Sequence, residues 1–149
     1  MTSNVMTSGE FAAQTNVSRE TLARLKIYAA LLTKWQRRMN LVGMATIPDL
    51  WRRHFWDSAQ LARLLPSLDI DLLDFGSGAG FPGLVLAVMG VRNVHLVEAN
   101  TRKCAFLREV ARETGVNIHI HNARIEDLTP WSVDVVTARA LAPLSSLIE

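Results

Sequence analysis

Four glycines fall within eight residues of the stretch LLDFGSGAGFPG, Leu72 to Gly83, directly behind one apolar run and directly ahead of another. A loop so free of side chains lets backbone approach a ligand and take left-handed conformations. Apolar run, loop and apolar run read as strand, turn and helix. That unit constrains the whole chain, because it belongs in an open α/β sheet whose ligand lies beyond the carboxyl ends of the strands.

The flanking pattern agrees. Short β-rich runs at 70–75 (IDLLDF), 93–99 (NVHLVEA), 117–121 (NIHIH) and 133–138 (VDVVTA) alternate with helical patterns. One runs from Pro82 to Met89 and stops at Gly90; the other runs from Thr101 to Thr114 and stops at Gly115. A brief turn, RIEDL at 124–128, follows the third run. Strands alternating with helices predict parallel βαβ units with right-handed crossovers, a doubly wound sheet.

Upstream, Ser18 reads as the N-cap of a helix reaching about Met39, with Leu22, Leu25, Ala29, Leu32, Trp35 and Met39 stepping by three and four. TIPD, Thr46 to Asp49, opens a second helix that carries Leu50, Phe55, Ser58, Leu61 and Leu65 and ends at Pro66. The expected organisation is a flexible N-terminus over 1–17, a helical extension over 18–66 and an α/β domain over 67–149.

Composition narrows the class. With 149 residues, 49% of them apolar and 20% charged, the chain reads as a soluble globular protein. No signal-peptide pattern is visible, and no apolar run is long enough to span a bilayer. One cysteine, Cys104, excludes an internal disulfide and fits a reducing cytoplasm, where we expect the protein to reside. His95, His119 and His121 alternate along strands without cysteine or acid partners at ligand spacing, so no metal site is expected.

Two cofactors fit the glycine loop. Read from Gly78, GAGFPG satisfies the dinucleotide pattern G-x-G-x-x-G, with Glu98 as the ribose-binding acid. Read from Asp74, the pattern is D-x-G-x-G-x-G, with the acid closing the strand and Gly76, Gly78 and Gly80 forming the turn. Charge separates them. A pyrophosphate set against the following helix N-terminus would be repelled by a carboxylate at Asp74. S-adenosylmethionine brings an ammonium and a sulfonium instead, which the same carboxylate attracts. Glu98, closing the second strand, can accept from both ribose hydroxyls, and adenine contacts are expected at Ala123 to Glu126. The competing reading of Asp74 and Glu98 is a pair of solvated strand ends, and that of Glu126 is a first-turn helix acid.

DFGSGAGFPGLVLA, LVEANTRKCAFLREV and VTARALAPL, with KWQRRMNLVG and RRHFWDSAQL upstream, resemble the GidB-type small-subunit ribosomal RNA methyltransferases. The resemblance runs from about Leu22 to the last residue. It implies a Rossmann-like class I S-adenosylmethionine-dependent fold and methyl transfer to N7 of a guanine in 16S ribosomal RNA. It also implies cofactor contacts at Gly76, Phe81, Ile125, Glu126 and Arg139, with Asp74 and Glu98 added from the wider fold class.

The residues agree with that chemistry. The position after the fourth strand reads ARALAPL, not the Asn/Asp-Pro-Pro-aromatic turn that grips an exocyclic amine. Cys104, in a helix, reads as core and not as the nucleophile of a cytosine-C5 enzyme. Guanine N7 has an in-plane lone pair and no proton to lose, so no catalytic acid or base is expected. Arg139 is the candidate to hold the donor's carboxylate or an RNA phosphate; its alternative is a surface pair with Asp134 or Glu126.

Residues 19–63 hold nine Lys/Arg against three acids, which suggests one end of the molecule faces a polyanion. Arg37, Arg38, Arg52 and Arg53 are expected to attract RNA, and Arg102 and Lys103 to meet a phosphate or else remain solvated. The partner is then small-subunit ribosomal RNA or the ribosomal subunit. The family's fold has further strands after the fourth, so the chain reads as truncated there. VDVVTA would be a sheet edge prone to pair with another chain. Two other functions stay open: a nicotinamide-dependent oxidoreductase and a noncatalytic RNA-binding module.

Overall fold

The computed structural model describes residues 4–129 and 131–138. Strands β1 (Asp71–Phe75), β2 (Asn93–Val97), β3 (His119–His121) and β4 (Val135–Ala138) form one parallel sheet in the order β3-β2-β1-β4. From β1 the chain steps outward through β2 to β3, then returns to the other side of β1 as β4. The switch point therefore lies beside β1. In the register, Asp74 faces Leu96 on one side and Thr137 on the other.

Helix α1 covers Ser8–Thr15, α2 Arg19–Gln36, α3 Asp57–Ala59, α4 Gly83–Val88 and α5 Thr101–Thr114. Ser18 caps α2 as expected, its hydroxyl accepting from the Thr21 N–H. Gly115 closes α5 in the left-handed region. Every residue of α4 is buried, because this helix is sandwiched between the sheet and the N-terminal helices. Leu25, Tyr28 and Leu32 of α2, Phe55, and Phe106 and Leu107 of α5 meet there with no exposed surface. The helical extension and the sheet thus share one core.

Two expectations about the N-terminal part need correction. Residues 4–17 are not simply flexible: Thr7 and Glu10 form a capping box that starts α1, and Phe11 is fully buried 5.2 Å from the Trp51 ring. Phe11, the buried Met6 and the cap at Thr7 anchor a segment whose composition is largely polar. The expected regular helix after Thr46 is also broken up. Met44–Asp49 winds as 3₁₀, Trp51–Trp56 as a π-helical turn, Asp57–Ala59 as α3 and Gln60–Leu64 again as 3₁₀. The wide turn re-aims side chains inward, so His54, Phe55, Ser58 and Ala59 are all buried.

On the sheet face opposite α4, His95, His119 and His121 cluster under Trp131. The His95 and His119 rings lie 4.5 Å apart, and His95 Nδ1 shares a 2.9 Å hydrogen bond with His121 Nε2. That bond needs an unprotonated nitrogen on one ring. Burial and the neighbouring imidazoles of His119 and His121 push His95 below its ordinary value of 6.5, against a small opposing pull from Asp71. Burial and His119 push His121 the same way. The unfolded chain takes up these protons first as pH falls, so folded stability declines once pH drops below about 6.5. Melting temperature should fall between about pH 7.5 and 5.5 and fall less steeply in a His95→Gln, His121→Gln variant; equal slopes would contradict this account.

Candidate functional site

The glycine loop leaves β1 at Phe75 and enters α4 at Gly83. Its turn is closed by the Ser77 hydroxyl donating to the Asp74 carbonyl at 3.1 Å and the Gly80 N–H donating to the Ser77 carbonyl at 2.6 Å. From behind, the Tyr28 hydroxyl donates to the Ala79 carbonyl. Gly80 has a φ of +97°, and a Cβ there would strike the Tyr28 hydroxyl and Leu84. At Gly83 a Cβ would lie 2.7 Å from Asp74 Cβ and from Leu96 Cδ2. Both positions require glycine because the loop is clamped between the helical layer and the sheet.

Asp74 is fully buried. Its Oδ1 accepts from the Thr137 hydroxyl at 2.7 Å and its Oδ2 from the Gly83 N–H at 3.3 Å. The competing reading of Asp74 as a solvated strand end is therefore not what the fold builds. Asp74 instead ties β1 to β4 and occupies the start of α4. In a dinucleotide fold that position receives the pyrophosphate. Here a protein carboxylate fills it.

Glu98 follows β2 and faces the open side of the loop. Its Oε1 accepts from the Gly78 N–H and its Oε2 from the Asn100 N–H, both at 2.8 Å. Asn100 in turn caps α5, accepting from the Lys103 N–H at 3.0 Å. The carboxylate thus couples the glycine loop to the next helix. It has about four acceptor sites and the backbone uses two, so two ligand hydroxyls could still be bound.

Gly76, Gly78, Glu98, Ile125 and Glu126 line a single cleft of about 350 Å³ between the loop and the segment after β3. Lys103 and Arg124 stand on its walls. The segment after β3 is held in place by the Ala123 N–H, which donates to the Glu98 and His121 carbonyls. Cys104 packs beneath, its thiol on the Glu98 carbonyl at 3.2 Å. Burial, reinforced by the Glu98 charge, pushes that thiol up, which fits a core residue and not a nucleophile.

Not every expected residue converges there. Phe81 points away from the cleft. Its ring stacks between Tyr28 (5.3 Å) and His54 (4.9 Å) and meets Phe55 edge-on at 5.2 Å. Gly80 faces the same aromatic cluster. Both support the loop and do not line the cleft. Arg139 lies outside the described residues. Of the expected RNA contacts, Lys103 lines this same cleft, and Arg37, Arg38 and Arg102 line a separate groove.

Arg52 is held within the protein, 2.8 Å from Asp49 and donating to the Asn4 carbonyl at 2.6 Å. Burial resists ionisation of Asp49, yet the Met6 N–H, Arg52 and the nearby Arg53 charge outweigh it and hold its carboxyl below the usual range. This pairing turns one Arg52 nitrogen inward, while the side chain keeps 31% exposure. Sequence reasoning missed Tyr28 and Thr137, which brace the loop from opposite sides. Tyr28 sits three residues after Leu25 on the apolar face of α2, a spacing that marks burial but not its partner.

The comparisons with known proteins now bear on this geometry. The GidB family model, described as rRNA small subunit methyltransferase G, matches residues 21–149. The Rhodospirillum rubrum protein named Ribosomal RNA small subunit methyltransferase G is 61% identical, the match covering 97% of this chain and 72% of that one. Its namesake in Paramagnetospirillum magneticum is 60% identical, covering 93% and 68%. Both relatives are longer than this chain.

Among solved structures, MtNAS in complex with S-adenosylmethionine has a TM-score of 0.53 at 16% identity, covering 95% of this chain and 61% of that one. A Pyrococcus horikoshii protein described as a candidate RNA methyltransferase has a TM-score of 0.52 at 19% identity, covering 84% and 61%. These two show the fold, a Rossmann-like doubly wound parallel sheet. The family model and the curated relatives do not favour the oxidoreductase or the noncatalytic module. With a glycine loop closed by Asp74, an acid facing the cleft after β2 and a match over residues 21–149, this chain belongs to the GidB family, rRNA small subunit methyltransferase G.

Proposed function

We propose that this chain binds S-adenosylmethionine in the cleft of Gly76, Gly78 and Glu98 and directs its methyl group to N7 of a guanine in small-subunit ribosomal RNA. The observation that carries the reading is the pairing of Glu98 with Asp74. One carboxylate faces the cleft with acceptor capacity left for ribose hydroxyls, while the other fills the place a pyrophosphate would need. When bound, the donor supplies an electrophilic sulfonium methyl. The chain's own residues do the positioning. The Glu98 carboxylate fixes the ribose, Gly76 and Gly78 admit the methionine portion against bare backbone, and Ile125 and Glu126 border the adenine. Arg139 is proposed to hold the donor's carboxylate or an RNA phosphate.

No general base is required, because N7 attacks through its lone pair and loses no proton. Alignment alone can contribute roughly 7–11 kcal/mol when nucleophile, methyl and leaving sulfur are in line. The partner is ribosomal RNA or the small subunit, and the site of action the cytoplasm. Among the described residues no helix is long and apolar enough to cross a membrane, and no cluster of potential metal ligands is present. We also propose self-association through β4, an outer strand of the described sheet with Val136 about half exposed.

Incubating the chain with undermethylated 16S ribosomal RNA and labelled donor, then mapping the modified base, tests the assignment. Label at a guanine N7 is the expected result. Incorporation at another atom overturns the acceptor assignment. Thermal stabilisation by NAD(H) with none by S-adenosylmethionine overturns the whole reading.

A further inference from the structure

A second concavity, about 600 Å³, runs between the end of α2 and the start of α5. Lys34, Arg37, Arg38 and Arg102 stand around it, and Trp35 and Met39 form part of its floor. All four cations are exposed, and the two aliphatic and aromatic floor residues are half-buried. Among the described residues, Arg37, Arg38 and Arg102 have no carboxylate within ion-pair distance. The acid at the rim, Glu109, is gripped by Arg112 through bonds of 3.1 and 2.7 Å, and this bidentate pair holds its carboxyl below the usual range.

The groove is also held in shape. The Gln36 side chain donates to the Val42 carbonyl at 2.8 Å and accepts from the Leu41 and Val42 N–H groups, fixing the chain just after α2. Arg102 donates to the Arg38 carbonyl at 3.4 Å, joining the two walls. The first turn of α5 separates this groove from the cofactor cleft: Arg102 faces the groove and its neighbour Lys103 the cleft.

We infer that this groove seats a single-stranded stretch of the substrate RNA flanking the methylated nucleotide. Unpaired guanidinium and ammonium groups above an apolar floor suit a phosphate chain whose bases turn inward onto apolar side chains. A duplex presents its bases stacked and paired and gains only the charge term. A protein partner would need acidic side chains to match three unpaired arginines, whereas every nucleotide brings a phosphate. The inference rests on the ribosomal RNA reading; it gathers the expected contacts Arg37, Arg38 and Arg102 into one groove and adds Lys34.

The test compares the full chain with an Arg38→Ala, Arg102→Ala variant and with an Arg19→Ala, Arg24→Ala control. The control removes the same charge from exposed positions about 20–30 Å away along α2. Probes are undermethylated 16S ribosomal RNA, a labelled single-stranded oligoribonucleotide and an RNA duplex of the same length. The groove variant should bind the single strand about tenfold more weakly at low salt, with the slope of log Kd against log salt flattened by about 1.4. The control should lose much less, and S-adenosylmethionine affinity should be unchanged in both. Equal losses in the two variants, no loss in the groove variant, or tighter binding of duplex than of single strand would each overturn the groove. If the unaltered chain binds no donor and methylates no RNA, the functional reading fails first and takes the groove with it.

Discussion

Glu98→Gln should cut S-adenosylmethionine affinity by about 30- to 100-fold while leaving the protein folded. The Glu98 carboxylate is nine-tenths buried and receives two backbone N–H groups, from Gly78 and Asn100. Hydrogen bonds to a charged acceptor contribute roughly 1.5–3 kcal/mol each. The amide keeps one oxygen, so one N–H retains a partner and the other meets an NH₂ donor. That loss falls on the free and the donor-bound protein alike, so it is read in the melting curve. Affinity falls because the ribose hydroxyls lose a charged acceptor, at about 2–2.7 kcal/mol, which is the stated range. Calorimetry with the donor and a melting curve, run together, separate binding from stability. Near-native affinity in Glu98→Gln would remove Glu98 from the cofactor site.

Why this residue was legible in the sequence, while its neighbours were not, has a physical basis. An acid closing the second strand of an α/β sheet is placed by topology alone, and β2 ends at Val97 directly before it. The same logic located the cap at Ser18, the stop at Gly115 and the cleft walls Gly76, Gly78, Ile125 and Glu126. Those features depend on local geometry and strand order.

Phe81 did not follow that logic. Its ring direction is set by Tyr28 and His54, which lie 53 and 27 positions upstream, and no local spacing encodes that contact. The winding of 44–64 escaped for a similar reason. Its apolar spacing is helical, but burying His54, Phe55 and Ser58 together against the loop requires the π-helical and 3₁₀ turns seen there. Arg52 read as a free cation because its partners, Asn4 and Asp49, are a carbonyl distant in sequence and a carboxylate one turn earlier.

Asp74 offers the sharpest division between charge and architecture. If its carboxylate acts by attracting the cationic donor, Asp74→Asn and Asp74→Ala should weaken donor binding alike and leave the fold intact. The geometry says otherwise. An asparagine can turn its oxygen to the Gly83 N–H and its amide to the Thr137 hydroxyl, which can accept as well as donate. Alanine leaves the buried Gly83 N–H and the part-buried Thr137 hydroxyl without that partner, at roughly 1–3 kcal/mol for the first and less for the second. Asp74→Ala should therefore lower Tm by about 5–15 °C and abolish methyl transfer through collapse of the loop. Asp74→Asn should melt within a few degrees of the parent and keep donor affinity within about tenfold. A charge held out of solvent and satisfied by β4 and α4 works by fixing Gly76 and Gly78 beside the cleft. A folded Asp74→Asn protein without donor binding would show that the negative charge itself acts on the ligand across the loop.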